Sequence, residues 1–556
     1  MNGFLLLART GWKVALHFVA TVREQSYFKL AFSTCFIATC MVGLFFLFYG
    51  GFRFLDEIGG IGLLVIHRLF ALFFFGLGFI LVMSSALSSY TTLYLSKEVP
   101  YLLLRPVSLT EIISYKYLET TALASWAFFV VIVPYVAAYA YYEQLHFFFS
   151  LWTLLYSVPF VFICSAFGTL VSMLLVRILP RGRGLALLVA LLIGSILVFI
   201  WRGFHGVVED MSANTTLVLQ RLVPGFQLAS HPLWPSHWVA EGIMSMSRER
   251  YGRGALYLLL LFSYVGVGVI AVQEMGKRTF YNGWQRVISS TRQRKREAFW
   301  FEVVRRVLFF LPADFRALFM KDLRIFFRDP AQWTQGLIFF GILGFYFVNL
   351  RNMNYHTLPS AFRNLIAFLN VFSVASVMCA MGARFVYPQL SLEGQGFWIV
   401  GMSPTTMGRV LMAKFLTSSA ILLAISIGLM LISLHMLQVT IEIRTVSLVL
   451  TLALSLGLSG LATGLGSVYL DLKQRNPAAI ISSFGGTLNL VLSLVFVLAA
   501  ILPFAVFYHF QSEEKVSEAA FHVGLLISYG WLALLILVSV AIPLALGWRS
   551  LVRRDY

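Results

Sequence analysis

Few side chains in this 556-residue chain have the types and spacing to do chemistry. The nearest approach to a phosphate-binding turn is Gly276-Lys277, because such a turn supplies backbone amides and one ammonium group to an anion. Arg278 stands where that turn needs Ser or Thr for magnesium, and Gln273, Glu274 and Met275 replace its glycines. The expectation is a chain with no ATP-binding motif and no catalytic residues, and therefore not an enzyme. His205, Glu209, Asp210, His231 and His237 are acid–base and ligand types, but they lack the spacing of a metal site. Cys35, Cys40, Cys164 and Cys379 all fall in apolar runs without a CxxC, and they read as small buried hydrophobes rather than disulfides or metal ligands.

The informative charges are those that occur twice. Arg68, Met83, Leu95, Ser96 and Glu98 recur as Arg363, Met378, Leu390, Ser391 and Glu393 at one offset of 295 residues. After three inserted residues, Pro106 and Lys116 answer Pro404 and Lys414 at 298, and Gly168 and Arg177 answer Gly464 and Lys473 at 296. A register held across an apolar run and the loop after it points to internal duplication, which in a membrane protein suggests two related halves around a shared path. Glu98 and Glu393 open the loops YLSKEVPYLLLRPVSLTEIISYKYL (94–118) and QLSLEGQGFWIVGMSPTTMGRVLMAKFL (389–416). Each loop continues with an apolar run, a turn at proline and a helix bearing a terminal lysine. Too short and polar to span, such a segment suits an amphipathic helix on the membrane face. The two acids either complement a helix dipole, worth about 0.3–1 kcal/mol, or present carboxylates to basic groups of a partner. Arg68 and Arg363, at equivalent outer span ends, either face a central pathway as a gate or snorkel to the interface beside Asp56 and Glu57. Asn370 and Asn489 suit hydrogen bonds between helices.

The elements that carry these residues are membrane spans. A chain 59% hydrophobic and 12% charged, with mean hydropathy +0.83, is no ordinary soluble globule, whose charged share is about 25%. Apolar runs long enough to cross a hydrocarbon core of about 30 Å read at 31–52, 61–88, 119–141, 148–176, 185–201 and 254–275. A second set reads at 334–350, 362–388, 411–435, 446–468, 480–507 and 521–547. The expected fold is all-α, with about twelve transmembrane helices in two parallel six-helix repeats: 1–275, a basic connector at 276–333, and 334–556. The net charge of +18 lies mostly between apolar runs, as the positive-inside rule requires, so it indicates membrane topology and no nucleic acid. Both termini should be cytoplasmic. The run Phe4 to Ala8 is too short for a secretory signal. Residues 10–30 suggest an interfacial helix, and ALFMKDLRIFFRDPAQW suggests a second one leading into the seventh span. Arg292, Arg294, Lys295 and Arg296 suit anionic lipid headgroups. The loop 202–253 should form a small outer cap, a possible seat for an accessory protein.

The sequence of acid, apolar stretch, Ser/Pro turn, basic helix and span resembles the coupling-helix region of type-2 ABC exporter permeases. PLWPSHWVAEG resembles their extracellular proline/tryptophan segment before the last span of a half. That resemblance covers essentially the whole chain, with both six-span copies fused. It implies a permease in a bacterial inner membrane that exports a hydrophobic or amphipathic substrate. Two cytoplasmic ATP-binding-cassette ATPase subunits would be its partners, with ATP and magnesium on those subunits and no cofactor in this chain. It also implies that Glu98 and Glu393 touch the ATPases, together with Tyr101, Arg105, Phe397 and Trp398. Leu102 to Leu104 and the aromatics either fill a groove on the ATPase or anchor the segment among headgroups. One alternative is a major-facilitator-like secondary transporter, although the Gly-x-x-x-Asp-Arg/Lys-x-Gly-Arg turn of that class is missing. Another is a membrane enzyme acting on lipid-linked substrates.

Overall fold

The computed structural model describes residues 3–23, 27–57, 62–94, 96, 98–145, 148–178, 231–290, 305–306, 308–310, 312–328, 360–437, 439–473, 480–481, 483–512 and 515–553. Among these residues every regular element is helical, and ten helices are long and apolar enough to cross a membrane. The protein is an all-α polytopic membrane protein. Two of the twelve expected spans, 185–201 and 334–350, lie outside the described residues. The chain divides into two compact units, Met1–Arg294 and Lys295–Tyr556.

In the first unit, α1 (Gly3–Arg23) precedes the spans α2 (Tyr27–Glu57) and α3 (Gly62–Ser89). The short helix α4 (Glu98–Leu103) leads into α5 (Leu109–Tyr142) and α6 (Phe148–Ile178), followed by α7 (Pro235–Ser247) and α8 (Tyr251–Ser290). Helix α6 packs on α3 and α8, while α2 lies along α5. The short helix α7 occupies the place expected for an outer cap, yet it packs into the unit against α3, α6 and α8. Trp238, Val239 and Ile243 are buried there, which is where so apolar a segment loses most contact with water.

The second unit begins with α9 (Ala313–Arg328) and the span α10 (Ser360–Met381). Then come the short α11 (Phe397–Gly401) and the spans α12 (Met407–Leu437), α13 (Ile441–Val468), α14 (Phe484–Ser512) and α15 (Glu518–Val552). Helix α13 is central, packed by α12, α14 and α15. Its glycines permit this. A Cβ on Gly464 would collide with the backbone of Pro543 on α15, while one on the corresponding Gly168 of α6 would strike the backbone at Val82 and Ala86 on α3. Small residues at such crossings let helix backbones approach in lipid, where no hydrophobic force pulls helices together.

Both units change helical pitch at the end of the span before the short helix. A π-turn covers Tyr90–Tyr94 in the first and Gly382–Val386 in the second. The second continues through 3₁₀ turns at Tyr387–Gln389 and Ser391–Gly396. Pitch changes of this kind re-aim the chain at functional places, and here they turn it out of the span into the loop.

Candidate functional site

Each doubled loop is fastened to the helix that follows it by a buried lysine. In the first unit Ser108 caps α5. The Glu111 amide donates to its Oγ at 3.3 Å, and the Ser108 amide donates to Glu111 Oε2 at 3.0 Å. This reciprocal cap satisfies two otherwise orphaned amides, so the helix starts at Leu109 and runs 34 residues without a break. At 1.5 Å per residue that is about 51 Å, so the expected separate basic helix and span are one rod. Two turns into it, Lys116 has a fully buried side chain, and its Nζ donates to Glu98 Oε2 and Glu119 Oε2, both at 2.7 Å. In the second unit Lys414, 3% exposed, donates to Glu393 Oε1 at 2.8 Å and Asp322 Oδ1 at 2.7 Å. Lys321 also bonds Glu393. A buried ammonium is tolerated only when paired and hydrogen-bonded, and in both units one of the two pairing acids comes from the loop.

Two further contacts recur around the same end. Thr120 on α5 bonds Thr92 Oγ1 at 2.8 Å, and Ser418 on α12 donates to Gln389 at 3.2 Å. One residue on, Thr121 bonds Ser165 of α6 at 2.8 Å, and Ser419 bonds Ser459 of α13 at 2.5 Å. The start of each third helix is thus tied to the loop, to the preceding span end and to the fourth helix.

Beyond the carboxylate the two loops match residue for residue in what they bury. Val99 and Phe397 are 0% and 1% exposed, whereas Tyr101 and Ile399 are 56% and 61% exposed, and Leu104 and Met402 are 85% and 78% exposed. Gly394, Gln395 and Gly396 are the inserted residues that restore this register. Gly394 sits at φ +60° and ψ −144°, a conformation essentially reserved for glycine. One apolar side chain in each loop anchors inward, while Tyr101 and Leu104 stand out from the first and Trp398, Ile399 and Met402 from the second.

The interfacial helices join here as well. The Phe4 amide, in the first turn of α1, donates to Glu111 at 3.2 Å. At the position answering Glu111, Arg409 of α12 pairs with Asp314 in the first turn of α9 at 2.9 Å. The same seat is used in both units with opposite charge.

Of the residues singled out from sequence, Glu98 is 65% and Glu393 11% exposed, and each is engaged by its lysine. Tyr101 is exposed and is bonded and covered by Arg105, whose guanidinium carbon lies 4.5 Å from the ring centre. Phe397 packs inward with Leu390, Leu411 and Leu551, while Trp398 is exposed. Arg68 and Arg363 lie on α3 and α10, with side chains outside the described set. Lys116 and Lys414 recur in the sequence without a role assigned to them, and Asp322 and Glu119 carry no such mark; the joint recurrence of Glu98 and Lys116 is the signal that they form a pair.

A family model described as "Putative ATP-binding cassette" matches residues 25–556. No curated protein and no solved structure matches. The family match corrects two expectations, that the chain lacks any ATP-binding motif and that ATP belongs to partner subunits alone. It covers this chain itself, whereas the expectation rests on a single glycine-rich turn. The residues of that turn, Gln273–Arg278, are an unbroken stretch of α8 rather than a phosphate-binding turn.

Proposed function

The chain belongs to this ATP-binding cassette family, and from that premise we propose that it is the membrane-spanning permease of an ABC exporter for a hydrophobic or amphipathic substrate. The observation that carries the reading is the pair of stapled loops, each presenting exposed apolar side chains before the start of a long helix. A cytoplasmic ATPase subunit of the cassette type docks on Tyr101 and Leu104, and another on Ile399 and Met402. Exposed apolar side chains on a rigid base are the kind of group that anchors an interface. Glu98 and Glu393 act one step back, holding the loop to α5 and α12 through Lys116 and Lys414. Movement of the docked subunit then tilts the whole rod rather than bending the loop. The basic residues that the sequence carries between its spans support cytoplasmic termini, and the family resemblance supports a bacterial inner membrane.

The test is Tyr101→Asp combined with Ile399→Asp, two exposed positions outside the packed core. Expected is loss of co-purifying ATPase and of ATP-driven export by about tenfold or more, with the chain still folded. A chain that purifies alone, with export following an ion gradient and indifferent to both changes, overturns the reading in favour of a secondary transporter.

A further inference from the structure

The two buried lysines sit in clusters of different charge. In the second unit Lys414 bonds Glu393 and Asp322, Lys321 bonds Glu393 as well, and Lys321 lies 3.8 Å from Asp322. Two ammonium groups and two carboxylates thus close a neutral ring. In the first unit Lys116 is the one ammonium, among the described residues, that pairs with Glu98 and Glu119. Two carboxylates share a single positive charge, and one negative charge is left over.

The missing member is one that an interfacial helix supplies. Seven and eight residues after its seat residue Asp314, α9 carries Lys321 and Asp322. The same count along α1 from Phe4, which holds the matching seat, reaches Gly11 and Trp12. A Cβ on Gly11 would come within 2.9 Å of Tyr115 Oη, and Trp12 is exposed, so α1 brings no charge at that register. Glu119 of α5 takes the part of Asp322, while among the described residues no ammonium takes that of Lys321. The surplus also lies open, because Glu98 is largely exposed where Glu393 is mostly enclosed. Arg105 of the same loop bonds the Tyr101 hydroxyl and covers that ring instead.

We propose that this charge is met from outside: a Lys or Arg side chain of the subunit docked on Tyr101 and Leu104 bonds Glu98, whereas Glu393 takes no cation from its partner. The inference rests on the docking reading above. A side-chain ammonium already fills the corresponding corner of the second unit, so the corner accepts a group of that kind. Glu98 opens the loop that exposes Tyr101 and Leu104, which puts a charge beside apolar anchors, the usual layout of a polar rim. Charges in such places steer and orient a partner. The two docked subunits are then held unlike, one by apolar contact and charge, the other by apolar contact alone.

The experiment uses the full chain in nanodiscs and the purified ATPase subunit that accompanies it. Ile399→Asp leaves docking through the first loop, and Tyr101→Asp leaves docking through the second. The Kd of the ATPase for each is followed as KCl rises from about 0.05 to about 0.5 M, which shortens the reach of exposed charge roughly threefold. First-loop docking should weaken by about five- to tenfold, the worth of one charged contact, and second-loop docking by about twofold or less. At low salt Glu98→Gln should weaken first-loop docking by the same factor and abolish its salt response. Because Glu98→Gln also frees the loop from Lys116, a rescue separates contact from positioning. Glu98→Arg is tested against ATPase variants in which each surface Lys or Arg is changed in turn to Glu. One of them should restore binding, which a merely loosened loop does not allow. Equal salt responses at the two loops, or no rescue, would overturn the role of Glu98 and leave the docking reading standing. Docking that strengthens with KCl would put a free cation at Glu98 in place of a partner side chain. An unaltered chain that binds no ATPase removes the docking reading and this inference with it.

Discussion

At the scale of the residue, the two staples are not equal. Each buried lysine keeps a second acid, Glu119 or Asp322, when the loop acid is lost, but Glu98 is largely exposed whereas Glu393 is mostly enclosed by Lys321 and Lys414. Removing one partner of a buried pair costs about 3–5 kcal/mol, while an exposed pair is worth about 1 kcal/mol or less. Glu393→Gln should therefore lower the unfolding temperature markedly and Glu98→Gln only slightly, as a thermal melt in detergent will read. Equal effects would contradict the difference in enclosure. Gly394→Ala forces a side chain onto a conformation that disfavours it, at about 1–3 kcal/mol. The same melt should place it between the two glutamate variants, with Gly396→Ala much milder.

At the scale of the element, span identity was legible because a helix facing lipid is apolar all round, and hydropathy alone reports that. Where helices begin was less so: α5 starts ten residues before the expected 119, since the Ser108–Glu111 cap, not hydropathy, decides the start. The contact from Glu98 to Lys116 crosses a turn, so no helical period announces it; only the doubling of both residues did. Arg68 and Arg363 recur just as faithfully, and the recurrence alone assigns them no partner. Crossings were not legible either, since corresponding glycines meet different neighbours. Gly168→Leu should loosen α6 from α3, and Gly464→Leu should loosen α13 from α15, each lowering folded yield. Overpacking of this kind costs about 1–3 kcal/mol or more. Limited proteolysis should show the two variants opening at different places, near 82–86 for the first and near 540–547 for the second. Identical cleavage patterns would count against the separate crossings.

At the scale of the whole molecule, like orientation of the two loops is the property on which the transport proposal stands. Leu104 and Met402 are both exposed, so Leu104→Cys and Met402→Cys should react with a membrane-impermeant thiol reagent from one and the same side. Lys515→Cys, in the connection between α14 and α15, should react from the other. The endogenous Cys164 and Cys379 are buried, but Cys35 is exposed and Cys40 half-buried, against the expectation of four buried cysteines, so the labelling is done with Cys35→Ser and Cys40→Ser in the background. Labelling of the two loops from opposite sides would replace parallel halves with inverted ones, and the paired docking of ATPase subunits would fall with them.

The reversed charge at the seat of the interfacial helices has a consequence for assembly. Were α9 to settle against α5, Asp314 would face the Glu111 carboxylate; were α1 to settle against α12, its amide-rich first turn would face the Arg409 guanidinium. Both mismatches set like charge against like. A chain that carries two similar halves risks exchanging their parts as it folds, and a single inverted charge gives each interfacial helix an address that only its own half will accept.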